Sequence, residues 1–123
     1  KAVQISSRQG YSRCSVCVVS DDAIITADEG IYRSAKAHGI DVLKIMPGYI
    51  DLPGFDYGFV GGASFKISAT KLAFTGGLDR HPDAEQIIEF TSLHNVDIVY
   101  ITDKPAFDIG GAIPITEKNL ELN

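Results

Sequence analysis

Hydrophobic and polar residues alternate in two stretches of the chain that align with each other without a gap. The first is CSVCVVSDDAIIT (residues 14–26) and the second is ASFKISATKLAFT (residues 63–75), an offset of 49 residues. Each stretch has an alternating segment, a polar turn and a second apolar segment that ends in threonine. This pattern predicts a β-hairpin in both places.

After each hairpin the apolar residues follow a helical spacing. The first predicted helix covers residues 29–38, with Asp28 as its N-cap. The second begins near Pro82, because proline suits the first position of a helix. The apolar residues that we expect to face the core are Ile31, Ala35 and Ile40 in the first case and Ala84, Ile87, Ile88 and Leu93 in the second.

Both predicted helices end alike and lead into similar strands. His38-Gly39 and His94-Asn95 close them, and glycine or asparagine favours the left-handed conformation that ends a helix. The segments DVLKIM and DIVYIT follow as strands, and a later Gly-Gly-Ala begins the next unit in each case. The chain therefore reads as one α/β domain of tandem ββαβ units, since one such unit cannot cover its own sheet. Unit one spans residues 10–60, unit two 61–109 and the start of a third 110–117, before a polar tail at 118–123.

Composition narrows the class of protein without naming an activity. The 123 residues are 45% hydrophobic and carry a net charge of −5, and the basic residues are scattered. A nucleic-acid-binding face needs clustered lysine and arginine, so we expect no nucleic-acid partner. No apolar run is long enough for a membrane span, and no signal peptide is visible, so we expect a cytoplasmic protein with no membrane partner.

Four segments carry a resemblance to a known group of proteins. They are QGYSRCSVCVV, PGYIDLPGFDYGFVGGAS, FTGGLDRHPD and TDKPAFDIGGAIPI. The chain resembles the C-terminal part of an uncharacterised, mostly clostridial bacterial family with the pentein propeller fold. That fold is shared by enzymes that modify guanidino groups, such as arginine deiminases and amidinotransferases. The resemblance implies an incomplete propeller, because the chain has two units and a final strand.

The resemblance implies two alternative functions. In the first, the protein binds or hydrolyses a small guanidino or amidino compound, as a hydrolase or transferase that acts through Cys14. In the second, it is a non-catalytic interaction or structural module, similar to the propeller of the ribosome anti-association factor. In both, we expect self-association or an N-terminal half that supplies the missing blades, because two blades leave apolar faces open.

The two cysteines have different expected roles. Cys14 and Cys17 are three residues apart on a predicted strand, so their side chains point to opposite faces. That geometry disfavours a redox pair and shared metal binding. Cys17 is expected to be a buried core thiol. Cys14, at the start of the strand, is the candidate nucleophile, aligned with Ala63 and Ala112.

The remaining candidates are one histidine and four carboxylates. His81 lies in LDRHPDA, an insertion of unit two, and is the candidate acid–base residue, with an alternative role in the start of the helix. The candidate ligand-binding residues are Asp28, Asp56, Asp103 and Asp108. Each has a structural alternative: Asp28 as a helix cap, and the repeated Phe-Asp pairs as ligands of the N–H groups of a glycine-rich turn. No metal and no cofactor is expected.

Overall fold

A computed structural model of the chain describes residues 15–50 and 58–108. Within those ranges it has two three-stranded sheets and two α-helices, which confirms the predicted α/β class. Four predictions concern positions outside the described residues: Cys14, Asp56, the third unit at 110–117 and the tail at 118–123.

The first unit is a hairpin followed by a helical crossover. It consists of β1 (Val16–Ser20), β2 (Ala23–Thr26), α1 (Glu29–Ala37) and β3 (Asp41–Lys44). β2 is the central strand, antiparallel to β1 and parallel to β3. A parallel neighbour requires a crossover, and α1 provides it.

The second unit repeats this order after a short 3₁₀ turn at Val60–Ala63. It consists of β4 (Ser64–Ser68), β5 (Lys71–Phe74), α2 (Ala84–Leu93) and β6 (Asp97–Tyr100). β5 is central, antiparallel to β4 and parallel to β6. The same sequence of elements therefore occurs twice, as the hairpin pattern predicts.

Strand pairing relates the two hairpins by 48 residues rather than by the aligned 49. Ser20 pairs with Ala23 in the first hairpin, and Ser68 pairs with Lys71 in the second. The alignment matched Thr26 to Thr75 by residue type, whereas backbone hydrogen bonds decide the register of a sheet. The counterpart of Cys17 is accordingly Phe65 and not Lys66.

The third strands are related by a larger shift. Asp41 pairs with Ala23, and Asp97 pairs with Lys71, so β3 and β6 are 56 residues apart. The difference from the hairpins is the insertion that precedes α2. It includes His81, which becomes important below.

The ends of the helices agree with the predicted caps except at the start of α2. Oδ1 of Asp28 accepts a hydrogen bond from the Ile31 N–H at 2.8 Å. Gly39 and Asn95 have φ of 80° and 60°, the left-handed conformation that closes both helices. Asp83 occupies the N-cap of α2 without a side-chain cap bond, because its carboxylate binds the Met46 N–H at 2.8 Å.

The predicted apolar face of α2 is partly wrong. Ile88 and Leu93 are 48% and 75% exposed, whereas Ile87, Phe90 and Thr91 are buried. The buried three are three and four residues apart and so share one side of the helix. Leu93 is six positions from Ile87, about 240° around the axis, and points away from the core.

The two units share one core. A small cluster under α1 contains Ile24, Ile31, Ala35, Ile40 and Val42. The larger cluster joins the other face of the first sheet to α2 and the second sheet, through residues that include Cys17, Ile25, Phe74, Ile87 and Phe90. Neither α1 nor α2 is long and apolar enough to cross a membrane, and the described ranges contain no other candidate.

Candidate functional site

A cleft of about 290 Å³ lies at one edge of the first sheet. β1 runs antiparallel to β2 and β3, so the start of β1 and the ends of β2 and β3 meet at this edge. Two loops complete the walls. The lining residues are Ser15, Ala27, Asp28, Glu29, Ile45, Met46, Pro47, Gly48, Ile50, Gly58, Phe59, Val60 and His81.

Two adjacent carboxylates line the cleft at the start of α1. Asp28 uses Oδ1 to cap the helix, at 2.8 Å from the Ile31 nitrogen. Glu29 lies 3.2 Å from Lys44 Nζ and 2.9 Å from Arg33 Nε. Hydrogen bonds from Lys44 and Arg33 lower the pKa of Glu29, which is ionised at neutral pH. Because two cations already compensate Glu29, Asp28 is the stronger of the two in attracting a positively charged ligand.

His81 joins the insertion of unit two to the wall of the cleft. Its Nδ1 is 3.0 Å from the backbone nitrogen of Asp83, and its Nε2 is 3.0 Å from the carbonyl oxygen of Met46. Since an N–H can only donate and a carbonyl can only accept, Nδ1 is the acceptor and Nε2 carries the proton. Both ring nitrogens are thus bonded to backbone, and the ring is 4% exposed.

The loop that His81 holds has an uncommon backbone conformation. Gly48 and Tyr49 have φ of 97° and 68°, both in the left-handed region. A tyrosine there costs about 1 kcal/mol or more, so other contacts have to hold it. The Tyr49 ring packs on His81 with centroids 5.5 Å apart, and Asp83 binds the Met46 N–H. The insertion of unit two therefore fixes a wall of the cleft in unit one.

Asp108 lies behind the opposite wall. Its Oδ2 accepts a hydrogen bond from the Phe59 N–H at 2.8 Å, and the residue is 8% exposed. The carboxyl group packs so closely against Gly58 and Gly62 that neither position has room for a Cβ. This is the structural alternative for the Phe-Asp pair, with one difference: the turn is the one that precedes β4, 49 positions earlier in the chain.

The two cysteines are not equally visible in this geometry. Cys17 is 1% exposed in the shared core, which confirms its predicted burial. Burial raises the pKa of its thiol to about 11, although the Ser64 hydroxyl and Lys66 oppose the shift. Cys14 lies outside the described residues, but Ser15, the next residue, lines the cleft. The Ser15 carbonyl accepts a hydrogen bond from the Thr26 hydroxyl at 2.7 Å.

The structure brings only some of the predicted site residues together. Asp28 and His81 line the same cleft, and Asp108 supports its wall through Phe59. Asp103 is exposed in the loop after β6 and does not line the cleft. Asp56 lies outside the described residues.

Sequence reasoning missed two parts of the cleft. Glu29 was assigned only as the start of a helix, and residues 45–50 were read as a connection. Their place depends on the loop's contact with His81, some 35 residues away. The one signal was the insertion itself, which has no counterpart in unit one.

No metal site is formed by the residues in the described ranges. Among residues 15–50 and 58–108, no three histidine, cysteine, aspartate or glutamate side chains are grouped to hold an ion. The cleft is therefore best described as an acidic pocket with one aromatic residue, Phe59, which is 38% exposed.

Comparison with known proteins gives a family and no activity. The family model of DUF6873, described as a family of unknown function, matches residues 1–113. Neither the curated proteins nor the solved structures include a match.

Proposed function

The chain belongs to DUF6873, a family of unknown function, and we propose that it binds a small guanidino or amidino compound in the cleft beside Asp28. The observation that carries the proposal is the position of this carboxylate in a pocket formed by strand ends. At about 290 Å³ the cleft is at the small end of ligand pockets, and it fits a compound of amino-acid size.

The chemistry of the walls supports a planar cation. A guanidinium presents donors in a plane that match a carboxylate, and its face stacks on aromatic rings. Asp28 offers the carboxylate, and Phe59 offers an aromatic side chain on the facing loop. The net charge of −5 favours the approach of a cation.

The proposal includes the pentein propeller as the larger arrangement. Support comes from two ββαβ units that share strand order and pairing, and from the packing of unit two on the sheet of unit one. In such an arrangement the edges that carry the cleft turn toward the centre. The fold alone would not decide between an enzyme and an interaction module, so the ligand has to be tested directly.

Hydrolysis through Cys14 is the catalytic form of the proposal and rests on the resemblance. The thiolate would add to the guanidino carbon, ammonia would leave with a proton, and water would release a ureido product and the free thiol. Cys14 precedes Ser15, a residue of the cleft wall. His81 is a weak candidate for the base, because both its nitrogens are bonded to backbone. Its role here is to position the loop at residues 46–50.

Calorimetry tests the binding step. Agmatine and arginine are titrated into the protein, with putrescine and lysine as cations that lack the guanidino group. We expect binding of the guanidino compounds and at least a tenfold loss in Asp28→Asn, about 1.4 kcal/mol. Asparagine caps a helix as well as aspartate, so this variant should keep its fold.

A matched control separates the site from general charge. Asp97→Asn removes one carboxylate from an exposed strand end far from the cleft lining, and its affinity should equal that of the wild type. If no guanidino or amidino compound binds, or if both variants weaken binding equally, the ligand proposal is wrong. The interaction-module alternative then takes its place.

A further inference from the structure

Unit two covers the face of the first sheet that α1 leaves free. Cys17 and Ile25 point to that face and are buried, as are Val19 and Ile45. The contact is made by the helix side of unit two. Lys66 donates to the carbonyl of Val19 at 2.6 Å, and the Ser64 hydroxyl contacts the Cys17 thiol.

The same face of the second sheet is apolar and largely uncovered. By the shifts of 48 and 56 residues, its five counterparts are Phe65, Ile67, Ala73, Val99 and Ile101. We call these five residues the open face. Ile67 and Ile101 are 45% and 54% exposed, whereas their counterparts Val19 and Ile45 are 0% and 3% exposed.

Unit one carries the matching half of such a contact. Ser64 and Lys66, which face the first sheet, correspond to Val16 and Val18. Val16 is half-buried, and Val18 is 51% exposed. One molecule therefore presents both sides of the contact that its own two units make with each other: the open face at one end and the Val16–Val18 strip at the other.

We propose that the open face binds unit one of a second copy of this chain, head to tail, as unit two binds unit one within the chain. The occupant is a second copy because the complementary strip is exposed on the same molecule. Contacts of this kind use two different surfaces and propagate or close into a ring, unlike a two-fold dimer. The proposal rests on the packing of the units and not on the ligand of the cleft.

Sedimentation velocity over a range of protein concentrations tests the proposal. The wild type should associate as concentration rises. Ile67→Glu on the open face and Val18→Glu on the strip should each sediment as a single chain at every concentration. Leu93→Glu is the matched control, because Leu93 is 75% exposed on α2 and belongs to neither surface. It should associate as the wild type does.

A mixture of the two variants identifies the head-to-tail arrangement. Ile67→Glu keeps an intact strip and Val18→Glu keeps an intact open face, so an equimolar mixture should form a one-to-one complex that grows no further. Circular dichroism confirms that each variant is folded. A monomeric wild type, association of Ile67→Glu as strong as that of the wild type, or a mixture that stays monomeric would each overturn the proposal.

Discussion

Single polar side chains hold the loops around the cleft by bonding to backbone groups. His81 binds the Met46 carbonyl, Asp83 binds the Met46 N–H, and Asp108 binds the Phe59 N–H. Every buried side-chain nitrogen or oxygen in the described ranges has a hydrogen-bond partner. Residue type alone does not distinguish such supports from catalytic groups, which is why His81 and Asp108 were predicted as site residues.

Replacing His81 should loosen the loop at residues 46–50. His81→Ala removes the donor to Met46, the acceptor of the Asp83 N–H and the ring that packs on Tyr49. We expect a loss of about 1–3 kcal/mol in the free energy of unfolding and faster hydrogen exchange at residues 46–50. His38→Ala is the control, because exposed His38 bonds only within α1, to Ser34. Unchanged exchange in the loop would contradict the role of His81.

Cys17 should stay unreactive until the protein unfolds. The Cys14→Ala variant leaves Cys17 as the one cysteine of the chain, and a neutral thiol that is 1% exposed offers a reagent neither thiolate nor access. Thiol labelling at neutral pH should therefore proceed only as fast as unfolding. Rapid labelling of the folded variant would show that unit two does not cover the first sheet.

The same thiol gives a stability change at high pH. Its pKa is about 11 in the folded protein against a usual 9.0. Because the folded-state value is the higher one, the contribution is complete below pH 9 and is lost as the pH rises toward 11. Denaturant melts in the Cys14→Ala variant should lose about 2–3 kcal/mol more over this range than melts of Cys14→Ala/Cys17→Ala. Equal slopes for the two proteins would contradict the burial of a titrating thiol.

At the level of helices, turns and strands, local rules predicted what local forces decide. The caps at Asp28, Gly39 and Asn95 were readable, because each depends on a few neighbouring residues. The buried face of α2 was not, because that helix lies between two sheets and its partners come from both units. The hairpin register was missed by one residue because a threonine on each side suggested the wrong match.

The turn at Val60–Ala63 should be more sensitive to an added methyl group than the end of α1. Gly62→Ala places a Cβ against the Asp108 carboxyl, whereas Gly39→Ala meets no atom within 4 Å and strains only its left-handed φ. We expect about 2–3 kcal/mol of destabilisation for the first and about 1 kcal/mol for the second, measured by denaturant unfolding. A smaller cost for Gly62→Ala than for Gly39→Ala would show that Asp108 does not occupy the turn.

The whole molecule is defined by the contact between its units. His94 at the end of α2 lies 2.8 Å from Asp41 at the start of β3, and Lys66 reaches the first sheet from β4. The repeat predicted two units, since each hairpin and helix has its own sequence pattern. How the units pack, and hence the cleft wall that His81 supplies, depends on contacts 35 or more residues apart. No local pattern encodes those contacts.

The central claim is that a guanidino compound binds beside Asp28, and mapping of the bound ligand by NMR tests it most directly. Amide shifts are followed while agmatine is added to the ¹⁵N-labelled protein, with putrescine as the control cation. The account predicts saturable shifts at Ala27, Asp28 and Phe59 with agmatine, and none of comparable size with putrescine. Shifts that are absent, equal for both cations, or confined to residues away from the cleft would contradict it.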